Sequence, residues 1–193
     1  MKKIFFSLLV SFLLFTAQAN ACVGKILTIG VLNSANESVL AELVSALINE
    51  RTGTTVNIKV YNSSKEIYED VTKGEIGIVI ENTERAVKML NAPNNGDKAK
   101  AHDLVKEEFR NRMNLIWLKP FGTLSGDDGS GSYYYAPVMS EDVLIYFPAL
   151  PKLINKLSDI ANDRFFHEAL NSVKSGEKAK KAAKDFLKKK KLI

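Results

Sequence analysis

The sequence predicts an α/β domain: a single three-layer lobe with a mostly parallel sheet, followed by a helical C-terminal region. Three observations carry that prediction. KILTIGVL (25–32) is an almost unbroken apolar run rich in β-branched residues, the segment behind it has apolar residues at helical spacing, and the strand-then-helix pattern repeats at once. Strand, helix, strand, helix, strand implies parallel pairing through right-handed crossovers, and therefore helices layered on a sheet.

Each element has its own signals. After the first strand, Ser34 and Glu37 have capping-box spacing, Val39, Leu40, Leu43, Val44, Leu47 and Ile48 recur at helical intervals, and Gly53 supplies a stop. TTVNIKVY (54–61) alternates like a strand. Ser63 with Glu66 repeats the capping spacing before a short helix over 65–74, and IGIVI (76–80) is a third strand. NTERAVKMLNA (82–92) reads as helix, PNNG (93–96) as a turn, and DKAKAHDLVKEEFRNRM (97–113) as an amphipathic helix built on Leu104, Val105 and Phe109. NLIWLKPFG gives a short strand halted by Pro120. From Ser140 onward the pattern is almost wholly helical, with breaks at Pro148, Pro151, near Asn162 and at Gly176. No internal repeat is present.

Ahead of this domain, the basic start Met1–Lys3 and the uncharged apolar run 4–15 have the form of a signal peptide, too short for a comfortable bilayer span. Cleavage after Ala19 or Ala21 is expected, so residues 1–21 are read as the signal and 22–193 as one domain. The expected location is periplasmic or otherwise exported. Cys22, the single cysteine, follows a small residue as the acylated cysteine of a bacterial lipoprotein does, which would anchor the chain to a membrane. However, Ala19 stands where lipoprotein signals usually have leucine, and a soluble exported chain is the favoured reading. One cysteine allows no internal disulfide, so a packed core must hold the fold.

Composition and motifs narrow the function. Without Lys2 and Lys3 there are 25 basic against 22 acidic side chains, a modest net charge of +3. Nine lysines lie between Lys174 and Ile193, the pattern of a solvated helix face rather than of a nucleic-acid surface. The two histidines, His102 and His167, lack the i+4 partner of a helical zinc site, Asp127 and Asp128 lack the other ligands of a calcium loop, and neither a nucleophile elbow nor a phosphate loop occurs. The expectation is no enzyme, no metal and no cofactor.

In an open α/β sheet, ligands gather beyond the carboxyl ends of the strands, beside helix N-termini. Three polar clusters stand there: Asn33, Ser34, Asn36 and Glu37 after the first strand; Asn62, Ser63 and Ser64 after the second; Glu81, Asn82 and Thr83 after the third. They are candidate ligand contacts, although serine and asparagine also cap helices where nothing binds.

In order along the chain, GKILTIGVLNSANESVLAELVSALINERTGTTVNI, GEIGIVIENTERAV, FRNRMNLIWLKPFG, YYYAPVMSEDVLIYFPALPKLINKL and AKDFLKKKKLI resemble landmarks of the substrate-binding proteins that serve glycine betaine, choline and related osmoprotectant ABC importers. The resemblance implies lobe one of a type II periplasmic binding protein, a small solute such as a quaternary amine, and a membrane transporter subunit as partner. Such proteins are two-lobed clamshells whose chain crosses to the second lobe after a segment similar to IWLKPFG and returns through one similar to YYYAPV. Here only TLSGDDGSGS (123–132) lies between, where a lobe needs on the order of a hundred residues. Lobe one is therefore expected from 22–122 and 133–193, joined by a linker over 123–132.

The family's tyrosine-bearing segment is altered too. Val79 and Asn82 stand where tyrosines are expected and Glu84 where glycine is expected, while Glu81 and Thr83 agree with the pattern. Tyr133 and Tyr135 offer aromatic faces from the returning segment. The favoured reading of Tyr133–Tyr135 is packing, and Trp117 reads as core. A single-lobed solute binder with altered or weak ligand binding is the expected function. The alternative is an envelope scaffold protein that uses the exposed cleft for a partner or for self-association into a homo-oligomer.

Overall fold

A computed structural model describes residues 26–93, 96–126, 129 and 131–193. Residues 1–21, read above as a signal, and Cys22, Asp127 and Asp128 lie outside the described residues. The chain runs β1 (Leu27–Leu32), α1 (Ala35–Thr52), β2 (Val56–Tyr61), α2 (Ser64–Thr72), β3 (Ile78–Asn82), α3 (Thr83–Met89), α4 (Lys98–Met113), β4 (Leu115–Trp117), β5 (Gly122–Ser125), β6 (Ser132–Ser140), α5 (Glu141–Tyr146), α6 (Leu150–Ile154), α7 (Arg164–Lys174) and α8 (Ala179–Lys189), with two 3₁₀ turns between α6 and α7.

Local chemistry sets the helix starts. Ser34 Oγ accepts from Glu37 N at 3.2 Å, and Ser63 Oγ from Glu66 N at 3.3 Å. The reciprocal half of each capping box is displaced, because Glu37 reaches Leu32 N and Glu66 reaches Asn62 N instead of the cap residue's own amide. Gly53 ends α1 in the left-handed region that glycine enters without strain. The helix expected over 82–92 is shorter, since Asn82 finishes β3 and caps α3 by accepting from Arg85 N at 2.9 Å. Pro151 sits in the first turn of α6, where its missing N–H costs nothing, instead of breaking a helix.

Among the described residues the sheet has six strands in the order β2-β1-β3-β6-β4, with β5 also on β6. β1 pairs parallel with β2 and β3 as the crossovers require, and β6 runs antiparallel to β3, β4 and β5. The described ends of the stretch read as a linker are paired strands. Gly122 to Ser125 pairs with Tyr135 to Ser132, and Gly126 N donates to Gly131 O at 2.8 Å near the turn.

Helices cover both faces. On one, Leu27, Ile29, Val31, Ile78 and Ile80 pack with α1, α6, α7 and α8; on the other, Val79, Ala136, Val138 and Trp117 pack with α2, α3 and α4. Strand alternation divides β3 between the two, as a covered sheet demands. α1 is apolar on more than one side because α8 lies over it. Val39, Leu40, Leu43, Val44, Leu47 and Ile48 are all fully buried, each contributing roughly 1.5–3 kcal/mol of transfer free energy. The lysine-rich tail is a two-sided helix: Ala183, Phe186 and Leu187 face inward, while Lys184, Lys189 and Lys190 pair with Glu50, Glu168 and Asp163.

Candidate functional site

Parallel β1 and β3 end side by side, and antiparallel β6 begins beside them, with Tyr135 opposite Asn82. Their ends form a hollow of about 360 Å³, whose lining includes Asn33, Ser34, Glu37, Asn82, Tyr133 and Tyr135, together with Arg85 and Gly126. The first and third polar clusters thus converge with the tyrosines. The second does not join them: Ser64 opens onto a neighbouring shallow hollow of about 720 Å³, with Tyr68, Arg85, Lys88 and Met89. Ser63 is spent on its cap.

The remaining candidates are buried in the framework under the rim. Asn36 donates from Nδ2 to Ser125 O at 2.8 Å, tying the start of α1 to the hairpin, and its Oδ1 is buried without a partner. Glu81 is fully buried, and Thr83 is buried facing a small cavity of about 110 Å³ with Gly96, Asp97 and Tyr133. Of the tyrosines, Tyr135 is buried and Tyr133 half-buried, so both pack into the protein while lining the hollow. Trp117 is core.

What organises the rim is Arg85, which the sequence did not single out. Its Nε donates to Glu81 Oε1, its Nη1 to Glu37 Oε1 at 2.6 Å and its Nη2 to Ile80 O at 2.8 Å. Tyr68 O–H donates to Glu81 Oε2 at 2.7 Å, and Leu32 N donates to Glu37 Oε2 at 2.7 Å. One guanidinium between two carboxylates therefore fastens the end of β1, the start of α1, the end of β3 and, through Tyr68, α2. The missed signal was modest: Arg85 stands four residues after Glu81, but Glu37 lies 48 positions away.

The electrostatics follow from burial. Desolvation raises the Glu37 carboxyl above its usual value, and Arg85 opposes that rise. Burial also works against the Arg85 charge, yet Glu81 and Glu37 outweigh it and hold the guanidinium protonated. The Tyr68 hydroxyl is pushed well up, first by burial and then by Glu81. The arrangement offers hydrogen-bonding groups and two tyrosine side chains on a base fixed by buried ion pairs. No group of three or more histidine, cysteine, aspartate or glutamate side chains that could hold a metal occurs among the described residues. Nor is any described helix long and apolar enough to cross a membrane.

Residues 25–126, just over half of the chain, match the family model of the substrate-binding domain of ABC-type glycine betaine transport systems. The chain belongs to this family. Several solved structures share the fold. A glycine betaine/carnitine/choline ABC transporter structure superposes with a TM-score of 0.72 at 13% identity, covering 88% of this chain and 99% of that one. Apo YehZ from Escherichia coli gives 0.72 at 16% identity over 88% and 100% of the two chains. Lactococcal OpuAC, closed on glycine betaine, gives 0.52 at 10% identity over 87% and 97%. Comparison with curated proteins finds no match. The glycine betaine family match ends at Gly126, within the β5–β6 hairpin.

Proposed function

We propose that this protein is an exported, single-lobed solute-binding component of an ABC import system of the glycine betaine type. On this reading it takes a small solute in the 360 Å³ hollow and delivers it to a membrane transporter subunit. The observation that carries the reading is the convergence of Asn33, Ser34 and Asn82 with Tyr133 and Tyr135 at the carboxyl ends of β1 and β3. The hairpin occupies the place where the second lobe of a clamshell would be inserted, which is supported by the end of the family match at that point. Binding is then weaker than in a two-walled cleft, and the rings of Tyr133 and Tyr135 favour a solute with an apolar or quaternary end, the latter over a ring face.

The large apolar side chains that stand exposed, Ile26, Val60, Ile145 and Tyr146, do not line the hollow, which favours solute binding over a scaffold role for this face. Thermal unfolding against betaine, choline, carnitine, proline and simple anions tests the proposal. A solute at 100 times its Kd adds about 2.7 kcal/mol, roughly 5–10 °C for a domain of this size. The shift should shrink in Asn33→Ala and in Tyr133→Ala. Silence across the panel, or a shift that both variants retain in full, would overturn the proposal in favour of the scaffold reading.

A further inference from the structure

His102, on α4, packs edge-to-face against two aromatic rings from the sheet. Its ring lies 5.7 Å from Trp117 of β4 at 85° and 5.8 Å from Tyr134 of β6 at 66°. Tyr134 stands between Tyr133 and Tyr135, which line the hollow, and pairs with Thr123 across the hairpin. His102 thus joins α4 to the middle of the tyrosine run.

The nitrogen atoms around it are unusual. His102 Nε2 and Trp117 Nε1 are both buried without a hydrogen-bond partner. A neutral imidazole tolerates this, because an unprotonated Nε2 is only an unsatisfied acceptor. An imidazolium does not, because its second N–H needs an acceptor, and the nearby orphan on Trp117 is itself a donor. On α4 the charged groups acting on the ring are Asp103, with Oδ1 at 3.7 Å from Nδ1, and Lys106. From α3, β4 and β6 no described charged group acts on it; those elements present Trp117 and Tyr134.

We propose that His102 is a proton-operated latch on the β5–β6 hairpin: adding a proton to its ring loosens Tyr134 and lowers the solute affinity of the hollow. The latch rests on the solute-binding reading only for its last step. Burial holds the imidazole below its ordinary value, Asp103 partly offsets this, and Lys106 adds to it. With a depressed value in the folded protein, the packing is intact above the ordinary histidine value near 6.5 and is lost progressively as pH falls below it.

Trp117 is the only tryptophan, and indole emission is quenched more by a neighbouring imidazolium than by neutral imidazole, so the protein carries its own reporter. Tryptophan fluorescence should show a quenching transition between pH 8 and 5 with a midpoint below 6.5. It should be retained in His167→Gln, which alters the only other histidine, and be absent from His102→Gln. Ring titration by NMR on the unsubstituted protein gives the same midpoint without relying on a variant. Across the transition, hydrogen-exchange protection of β5 and β6 should fall at least tenfold relative to α1.

A midpoint at or above 6.5, a transition that persists in His102→Gln, or unchanged hairpin protection would overturn the latch. These readings need no solute, so a silent solute panel leaves them standing. A solute bound equally well at pH 7.5 and pH 5.5 would overturn the coupling while the solute-binding reading survived.

Discussion

Replacing Arg85 by methionine removes a cation from between two buried carboxylates while keeping much of the side chain's volume. In the native protein, Glu37 and Glu81 side chains are 3% and 0% exposed, and Arg85 itself is 14% exposed. The variant leaves Glu37 with only Leu32 N, and Glu81 with Tyr68 O–H and Asn82 N. Breaking a buried pair by deleting one partner costs about 3–5 kcal/mol, because the charge left behind keeps its desolvation penalty. For a domain of this size the thermal midpoint should fall by roughly 6–20 °C. Urea unfolding followed by circular dichroism reads the loss directly.

The pH dependence of that loss identifies its cause. Glu37 is already raised by burial, and Arg85 is the main influence lowering it, so the variant raises it further. A carboxyl raised in the folded state binds protons there more readily than in the unfolded chain, so the deficit should be largest at neutral pH and shrink as pH falls toward the ordinary value of 4.5. Arg85→Lys should recover little, since one ammonium cannot repeat three directed bonds. A loss under about 1 kcal/mol at pH 7, or a deficit unchanged between pH 7 and 5, would refute the idea that this ion pair holds the rim.

Two other substitutions probe the framework. Gly122 opens β5 with φ of 115°, and a Cβ there would lie 2.7 Å from Ala161 Cβ, so Gly122→Ala should cost about 2–4 kcal/mol in chemical denaturation; wild-type stability would show that the hairpin is not seated on the 3₁₀ turn as described. Asp70 accepts from Lys59 at 2.6 Å, Lys73 at 2.8 Å and Tyr61 O–H at 2.8 Å, which together hold its carboxyl well below the ordinary 3.8. Its contribution is complete above that value and is lost as pH falls through the depressed one, so Asp70→Asn should flatten the acid limb of the stability profile; an unchanged limb would assign acid unfolding to other groups.

The layered half of the fold was legible because its signals are local. Apolar runs, cap residues and Gly53 lie within a few positions of the element they define, and β1, β2 and β3 with their helices follow from them. The direction of β6 was not legible. Three successive tyrosines support a strand, but only pairing with β3 and β4 makes it antiparallel and brings Tyr133 and Tyr135 to the rim. The glycine-rich stretch 123–132 looks like open linker, yet its ends are strand because Ser132 to Tyr135 supplies a partner edge.

The candidate site divided along the same line. Topology brings Asn33, Ser34 and Asn82, which follow the ends of β1 and β3, to the rim, but it does not say which polar side chains face outward. Asn36, Glu81 and Thr83 look identical in sequence to Asn33 and Asn82; the difference is that they turn inward onto Ser125, Arg85 and the packed base of α3. That inward set has a consequence for binding. On the proposed reading a single wall cannot close over a solute, so affinity depends on how little the rim must be ordered when the solute arrives. Arg85 orders it beforehand, by fixing the ends of β1 and β3 to α1 through two buried carboxylates. Residues whose hydrogen bonds are already spent inside the protein should therefore govern solute affinity as strongly as those that touch the solute.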